Sequence, residues 1–202
     1  MHKSRTDFLV EFIFESDAIE EIRDDRGVLR REIEENKTDG HVGAMLMLES
    51  LAQDKVQILN EALVCRVQGL ITAGQLNPKY VGCYRNVNIF IGGRMGYSPK
   101  AVPRAMHDLV RGIATWQRKY LLNDSIENIK RIADFHYKFE IIHPFADGNG
   151  RTGRALVYYL FRYIGIEPFV FTSADKRSDY YPCFGKWKKY ELMHRYFFKK
   201  LG

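Results

Sequence analysis

The chain has 202 residues, of which 46% are hydrophobic and 28% are charged, and its formal net charge is +6. This length and composition predict one globular domain with a substantial core. No apolar run in the sequence has the length of a bilayer span or the form of a signal peptide, so we expect no membrane association. The basic residues are spread along the chain, which argues against a nucleic-acid partner.

The cysteines indicate a reducing compartment. Cys65, Cys83 and Cys183 are odd in number and lack the paired spacing of a zinc site. We therefore expect free thiols and a cytoplasmic location. The compact single-domain build favours a bacterial source.

The first third of the chain has helical patterning. Thr6 or Asp7 is predicted to cap the first helix. Asp54 is predicted to cap the helix over residues 54–71. Residues 23–40 are charged and contain two glycines, so they are predicted to form a linker with one short helix. The predicted helices cover residues 6–23, 29–35, 42–51 and 54–71.

Residues 81–99 break the helical period. Val87, Ile89 and Ile91 alternate with other residues as in a strand, and Gly92-Gly93 supplies turn chemistry. We predict one β-hairpin here. Further helices are predicted over residues 101–120, 125–142, 173–181 and 187–201, and another is opened by the last residues of the 143–154 stretch and stopped by Gly165. The fold class is therefore all-α, a single helical domain with one β-hairpin.

The stretch from His143 to Arg154, HPFADGNGRTGR, is predicted to be a loop between two helices. Pro144 cannot continue the preceding helix. Gly148 and Gly150 allow the backbone to approach a ligand closely where the next helix begins. The N–H groups at that helix N-terminus form an anion-binding site.

Side chains of this loop fit polyphosphate chemistry. Arg151 and Arg154 are three residues apart and share a helix face, where two cations repel each other unless an anion lies between them. Asp147 is a hard oxygen ligand of the kind that Mg²⁺ prefers. His143 can take up a proton near neutral pH. Phe145 is predicted to anchor the loop in the core.

The same region allows a rival interpretation. His136, Glu140 and His143 fall at helical spacing and could ligate a metal ion. We do not favour it, because Pro144 ends the helix where His143 would have to be in register. A zinc site would also leave both arginines unexplained. The plainer expectation is a partly buried His136 and a Glu140 at the surface.

The loop resembles the active-site motif of the Fic (Fido) family, His-Pro-Phe-x-(Asp/Glu)-Gly-Asn-(Gly/Lys)-Arg-x-x-Arg, and matches all nine specified positions. The resemblance implies a Fic-type helical domain that transfers AMP from ATP, with Mg²⁺, to a hydroxyl side chain of a protein. The implied roles are a general base at His143, a Mg²⁺ ligand at Asp147, an α-phosphate cradle at Gly148, Asn149 and Gly150, and outer-phosphate ligands at Arg151 and Arg154. Gly150 stands where the kinase branch of the family has Lys, which favours nucleotidyl transfer.

A second resemblance lies near the N-terminus. Ser16 to Glu20 is similar to the inhibitory motif of Fic proteins, (Ser/Thr)-x-x-x-Glu-(Gly/Asn), although Glu21 replaces the usual Gly or Asn. It implies that Glu20 pairs with Arg154 in the place of the γ-phosphate. A carboxylate can satisfy the same guanidinium fork. The chain would then divide into an inhibitory helix and linker over residues 1–40 and a catalytic core over residues 41–202.

Two further elements are similar to features of the family. The hairpin is similar to the flap that pairs with a target segment, by the addition of a strand to its edge. Tyr181, within Tyr180-Tyr181, is similar to an aromatic residue that stacks near the nucleotide base. The flap residues expected to dock the target are Val87, Asn88, Ile89 and Phe90.

The predicted function is a protein adenylyltransferase acting on a Ser, Thr or Tyr hydroxyl, and autoinhibited through Glu20. Its partner would be a protein target, which includes the enzyme itself, and a homodimer is compatible with the family. Three alternatives stay open: removal of AMP from a target, transfer of another nucleotide such as UMP, and a nucleotide-sensing module without turnover.

Overall fold

A computed structural model describes residues 4–55, 57–119, 125–185 and 189–202, with the backbone alone for Arg94 and Lys189. Within these residues the architecture is helical, which confirms the predicted fold class. The helices are α1 (Arg5–Ile19), α2 (Arg26–Glu34), α3 (Gly40–Asp54), α4 (Glu61–Thr72), α5 (Val102–Lys119), α6 (Ser125–Ile142), α7 (Asn149–Ile164) and α8 (Lys189–Leu201). The strands are β1 (Phe90–Ile91) and β2 (Arg94–Met95).

The α7 helix forms the centre of the molecule. It packs against α3, α4 and α6, and its N-terminal half also meets α1. Its side chains are buried on every face, as the full burial of Leu156, Tyr159 and Phe161 shows. A helix that is buried on every face requires neighbours on all sides. The loop that precedes α7 is therefore held between several helices.

The first helix begins and ends differently from the prediction. Ser4, and not Thr6 or Asp7, is the N-cap: its hydroxyl accepts from the Asp7 N–H at 3.1 Å, and the Asp7 carboxylate accepts in return from the Ser4 N–H at 3.3 Å. This reciprocal pair is a capping box. The helix ends at Ile19 and not at residue 23, because Glu21 adopts a left-handed φ of 64°.

The boundary predicted at Asp54 is also wrong. α3 continues through Asp54, and Lys55 then stops it with a left-handed φ of 51°. α4 starts only at Glu61, where the Asn60 side chain accepts from the Leu63 N–H at 2.8 Å. Asn60 is the cap because its side chain is close enough to bond to the free N–H groups of the first turn of α4.

The predicted hairpin is present but short. Its turn is formed by Gly92 and Gly93, with φ angles of 55° and 78°, and Phe90 pairs with Met95 across it. Val87 and Ile89 lie outside the strands, which corrects the predicted strand. The Val87 carbonyl accepts from the Arg85 side chain at 2.9 Å and is not available to a strand partner.

In the C-terminal third of the chain, the helix predicted over residues 173–181 is not found. Residues 173–181 form a series of short turns, Ser173–Asp175, Lys176–Tyr180 and Tyr181–Phe184, in place of an α-helix. The wide middle turn carries Tyr180 into the core, where it is 2% exposed. Predictions at residues 120–124 and at Trp187 lie outside the described residues. No helix in the described ranges has both the length and the apolar character needed to cross a bilayer.

Candidate active site

The motif loop begins with a residue in an unusual conformation. α6 ends at Ile142, and His143 has a φ of 50° while its N–H still bonds to the Phe139 carbonyl at 2.9 Å. A left-handed conformation outside glycine costs on the order of 1–3 kcal/mol and persists only where the surroundings enforce it. The chain therefore turns sharply out of α6 at this histidine.

The Asn149 side chain closes the loop. Its Oδ1 accepts from the Phe145 N–H at 2.8 Å and its Nδ2 donates to the Phe145 carbonyl at 3.0 Å. The Phe145 ring is fully buried and packs against Tyr84 and Phe139, which confirms its anchoring role. The Asn149 side chain thus has a structural task, and only its backbone is left to face a ligand.

Gly148 allows the loop to join α7. It has a φ of 75°, and a Cβ atom there would lie 2.5 Å from the Thr72 side chain. The preceding Asp147 carboxylate accepts from the Gly148 N–H at 2.6 Å, and Gln68 donates to the Asp147 carbonyl at 3.2 Å. The start of α7 is therefore fixed from both α4 and the loop itself.

His143 is held by its backbone and by its ring. Arg85 Nε donates to the His143 carbonyl at 2.8 Å, and His143 Nδ1 lies 3.2 Å from the Glu140 carbonyl. A carbonyl can only accept, so Nδ1 carries the proton and Nε2 is left as the basic nitrogen. Burial lowers the pKa of His143 below its usual value. The imidazole is accordingly neutral at neutral pH and able to accept a proton.

The two arginines of the motif are buried and turn to different partners. Arg151 Nη1 donates to Gln75 Oε1 at 2.9 Å, and its Nε lies 3.8 Å from Asp17 Oδ1. Asp17 belongs to α1 and is itself bonded to His41 Nδ1 at 2.9 Å. The first arginine of the motif is thus held between α1 and the segment after α4.

Arg154 donates three hydrogen bonds to α1 and its C-cap. Its Nε donates to Ser16 Oγ at 2.9 Å, and its Nη2 donates to the Ser16 carbonyl at 2.8 Å and to Glu20 Oε1 at 2.7 Å. The guanidinium is 1% exposed. The nearby carboxylates hold its pKa above the usual value, against the effect of burial.

The Glu20 carboxylate lies directly on the first turn of α7. A Cβ atom at Gly150 would be 2.2 Å from Glu20 Oε1 and 2.9 Å from Arg154 Nη1. A negative charge is favourable at the N-terminus of a helix. Glu20 therefore fills part of the space in which an anion would meet the glycine loop and the second arginine.

The donor set fits a metal that is bound largely through its substrate. Asp147 is exposed beside the loop, and no group of three or more His, Cys, Asp or Glu residues in the described part of the chain could hold a metal ion. Mg²⁺ commonly takes one or two carboxylates and completes its shell with waters and phosphates. A lone carboxylate next to an anion site suits that ion.

The residues of the rival metal site are placed differently from the expectation. His136 and Glu140 are both buried, so the prediction of a surface Glu140 is wrong: its helix face packs on α7. His136 Nδ1 and His143 Nδ1 each lie 3.9 Å from a Glu140 carboxylate oxygen, but His143 Nδ1 carries a proton that it donates to the Glu140 backbone carbonyl, so it is not a metal ligand in this state. Burial raises the pKa of Glu140 to about 8 and lowers that of His136 to about 3. His136 Nε2 pairs with the Tyr180 hydroxyl at 2.8 Å.

The flap residues and Tyr181 are on the surface. Phe90 is 71% exposed, and Val87 and Asn88 are also exposed, whereas Ile89 is half-buried. Tyr181 is 43% exposed, with the Lys176 ammonium 5.4 Å from its ring centroid. These side chains are free to meet a partner, in contrast to the buried loop.

Several residues that shape the site have no recognised signal in the sequence. Arg85 links the flap to the loop: it donates to the carbonyls of Val87, Tyr97 and His143. Gln68 connects the loop to the Gly82 N–H. The sequence feature that could have indicated this role is a polar residue, Gln68, on the otherwise apolar face of α4.

Taken together, the fold and the loop define a helical domain with an anion-binding helix N-terminus and a basic histidine beside it. The sequence model of the Fic/DOC family matches residues 58–161 of this chain. This span is more than half of the chain, and the chain belongs to that family.

Relatives with curated names support this placement. The chain is 34% identical over 112 residues to protein adenylyltransferase fic-1 of Caenorhabditis elegans, which is 54% of this chain and 20% of that protein. It is 32% identical over 124 residues to a probable protein adenylyltransferase of Aquifex aeolicus, 61% of this chain and 36% of that protein. The matches thus span about a fifth to a third of these relatives.

A solved structure shows the same fold over nearly the whole chain. A Fic domain containing signaling protein from Bacteroides thetaiotaomicron superposes with a TM-score of 0.78 at 24% sequence identity. The alignment covers 97% of this chain and 84% of that one. The α1 segment, which precedes the family match, therefore belongs to a shared architecture.

Proposed function

We propose that this protein is an adenylyltransferase that transfers AMP from Mg·ATP to a Ser, Thr or Tyr hydroxyl of a protein. The observation that carries the proposal is the neutral His143 beside the N-terminus of α7, where two buried arginines and the glycine loop converge. The curated names of the relatives give the same activity.

In the proposed reaction His143 Nε2 takes the proton of the target hydroxyl. The hydroxyl oxygen forms a bond to the α-phosphorus, and the bond from the α-phosphorus to pyrophosphate breaks. The N–H groups of Asn149 and Gly150 would meet the charge on the transferred group, joined by that of Gly148 once the Asp147 carboxylate releases it. Arg151 and Arg154 would meet the leaving pyrophosphate. Mg²⁺, when bound at Asp147, would neutralise phosphate charge.

The exposed flap would dock the target. Phe90, Met95 and Val87 present apolar surface beside a short strand edge, and a peptide can pair with such an edge. Tyr181 would stack on the adenine, since it lies exposed near the Glu20 end of the site. Target docking at the flap would bring a hydroxyl side chain towards His143, because Arg85 holds both segments together.

We further propose that residues 1–40 restrain the catalytic core of residues 41–202. Glu20 and Ser16 occupy Arg154, and Asp17 faces Arg151. An incoming triphosphate would compete with these contacts for both arginines. The resting enzyme would then bind ATP poorly or in an unproductive pose until α1 moves.

Label transfer from ATP labelled at the α-phosphate tests both parts. Glu20→Gly is expected to raise transfer to protein by at least about 10-fold, because it frees a charge-assisted pair. Adding His143→Ala to that variant is expected to abolish the gain, since general-base catalysis contributes roughly 10²–10⁴-fold.

The matched control is Glu21→Gly. Glu21 is the neighbouring glutamate and is exposed. Its carboxylate pairs with Lys176 at a distance of 3.1 Å, and not with Arg154. Its replacement is expected to leave transfer unchanged. Equal rates in wild type and Glu20→Gly would refute the restraint while leaving the transferase intact, and absence of label in every variant would refute the transferase.

A further inference from the structure

Glu140 is a buried carboxyl group without a role in the proposed transfer. It lies on α6, one turn before His143, and is 8% exposed. Its Oε2 is 3.9 Å from His143 Nδ1, and its Oε1 is 3.9 Å from His136 Nδ1. Neither Oε1 nor His136 Nδ1 has a hydrogen-bond partner among the described residues. A buried acid in this state is costly, so its retention calls for a reason.

Space for this carboxyl group is provided by Gly153 on α7. A Cβ atom at Gly153 would lie 2.2 Å from Glu140 Oε1 and 3.0 Å from the Phe139 ring. Any larger residue there would displace the carboxyl group. α7 thus holds Glu140 against the face of α6 that carries both histidines.

Charged and titratable groups face Glu140 from four elements. On its own helix these are His136 and His143. The remaining groups are Arg154 on α7, Glu20 after α1, and Tyr180 and Tyr181 in the turns before α8. Arg154 favours the carboxylate, whereas burial and Glu20 favour the protonated acid. Burial is the largest effect, and the pKa of Glu140 rises to about 8.

We propose that Glu140 is a positioning residue for His143: its carboxylate, 3.9 Å from Nδ1, stabilises by its charge the imidazolium that forms when Nε2 takes up the target proton. This inference rests on the proposed transferase function. Glu140 itself neither gains nor loses a proton in the step: the hydroxyl proton stays on His143 while pyrophosphate leaves. No hydrogen bond joins the carboxylate to His143, because Nδ1–H donates to the Glu140 backbone carbonyl, so the carboxylate acts through its charge alone.

The sign of the pH dependence follows from the two groups. His143 is already neutral at neutral pH, because burial lowers its pKa. Glu140 becomes a carboxylate only as the pH rises through about 8. Stabilisation of the imidazolium therefore increases between pH 7 and 9, after His143 has become basic.

The first test observes His143 without any turnover. Nitrogen-15 spectra of imidazole-labelled wild-type protein, recorded from pH 6 to 10 without nucleotide, should show His143 protonated at Nδ1. The Nδ1 signal should shift through a transition near pH 8. Glu140→Gln should remove that transition. A wild-type Nδ1 signal without an inflection in this range would overturn the proposal and requires no variant.

The second test follows kinetics in the Glu20→Gly background. Glu140→Gln is expected to lower kcat about 10-fold at pH 9, as outer-shell partners of functional histidines commonly do. It should leave the KM for ATP unchanged and flatten the rise in kcat between pH 7 and 9. An unchanged pH profile would contradict the proposal.

Glu49→Gln is the matched control for a buried glutamate. Glu49 is 7% exposed and pairs with Arg162 at 3.1 Å and with Tyr158 at 2.5 Å, away from His143. Its replacement should alter stability but not the His143 signal or the pH profile. If no variant transfers AMP, the spectra alone still decide the role of Glu140.

Discussion

The motif loop and the flap are neighbours, but the loop is buried and held by many hydrogen bonds, whereas the flap is exposed and held by few. The loop is buried and held by side chains from several helices: Asn149 closes it, and Gln68 and Arg85 fix its ends. The flap has strands of two residues each, and its Phe90 and Met95 are 71% and 66% exposed. Arg85 is the described side chain that bonds to both.

This difference shows how rigidity is distributed. A site that stabilises developing charge must be organised before the substrate arrives, because reorganising dipoles costs energy during the reaction. A surface that accepts a partner gains its order from the partner and can be sparsely held. We therefore expect loop substitutions to alter stability and chemistry together, and flap substitutions to alter only target use.

The largest effect is expected for Asn149→Ala. It removes two buried hydrogen bonds and leaves the Phe145 N–H and carbonyl unpaired, which should cost about 3 kcal/mol of unfolding free energy. Misplacement of the loop should also lower AMP transfer by about 100-fold. Urea denaturation and label transfer in the Glu20→Gly background measure the two effects.

Asn128→Ala is the control for a buried asparagine outside the loop. Asn128 lies on α6, and its Oδ1 accepts a hydrogen bond from Trp116 Nε1 at 3.0 Å. It should lose stability without a matching loss of kcat. If Asn149→Ala retained normal transfer, the loop would not depend on its buried bonds.

Arg85→Ala should have the next largest effect, because it cuts the link between the two regions. Its buried guanidinium donates to carbonyls of the loop and the flap, including those of His143 and Val87. We expect a loss of about 2 kcal/mol in stability and of about 10-fold in transfer. Arg162→Ala, which loses its pairs to Glu49 and Glu167, should reduce stability alone. Equal effects on transfer in both variants would show that the link is not specific.

A pH effect should distinguish the α1 side of the site from the flap side. Asp24 lies half-buried beside Asp17, and burial together with Asp17 raises its pKa to about 7. A raised carboxyl pKa favours the folded state while the group is protonated. Stability should therefore fall as the pH rises from about 4 to about 7 and stay level above that.

Thermal unfolding of wild type and Asp24→Asn between pH 4 and 8 measures this effect. The variant should show a smaller fall over that window. Asp17 behaves in the opposite sense, because His41 and Arg151 hold its pKa below the usual value, against the effect of burial. Its contribution is lost only at more acidic pH. Identical slopes for both proteins would rule out a protonated Asp24.

The smallest effect on the fold is expected for Phe90→Ala. The ring is exposed, so the unfolding free energy should change by less than about 0.5 kcal/mol. Transfer to the target should nevertheless weaken through a higher KM for that protein, with the KM for ATP unchanged. Ile126→Ala is a control of similar exposure, at 60%, on α6. A selective loss with Ile126→Ala would place target docking elsewhere.

Local features of the site could be predicted because they depend on neighbouring residues. The end of α6 before Pro144 and the start of α7 after Gly148 match the expectation from the sequence. Glycine supplied the left-handed φ there, and proline the missing N–H. The hairpin turn at Gly92-Gly93 follows from the same chemistry.

Features that depend on distant residues could not be predicted from the residues alone. Glu140 looks like a surface charge until α7 packs on its face of α6, and Gly153 leaves the space for its carboxyl group. The extent of the flap strands was also mistaken, since the Val87 carbonyl bonds to Arg85 and not to another strand. Tertiary contacts override local pattern at such positions.

The sequence by itself determined the helical fold class, the family and the chemistry of the loop, because periodicity and the nine matched positions are properties of adjacent residues. Only the tertiary structure decided which groups surround that chemistry. It set Asp17 beside Arg151 across more than half the chain, Arg85 on the carbonyl of His143, and Glu140 between two histidines. Such contacts arise when helices far apart in sequence pack around α7, and no local pattern encodes them.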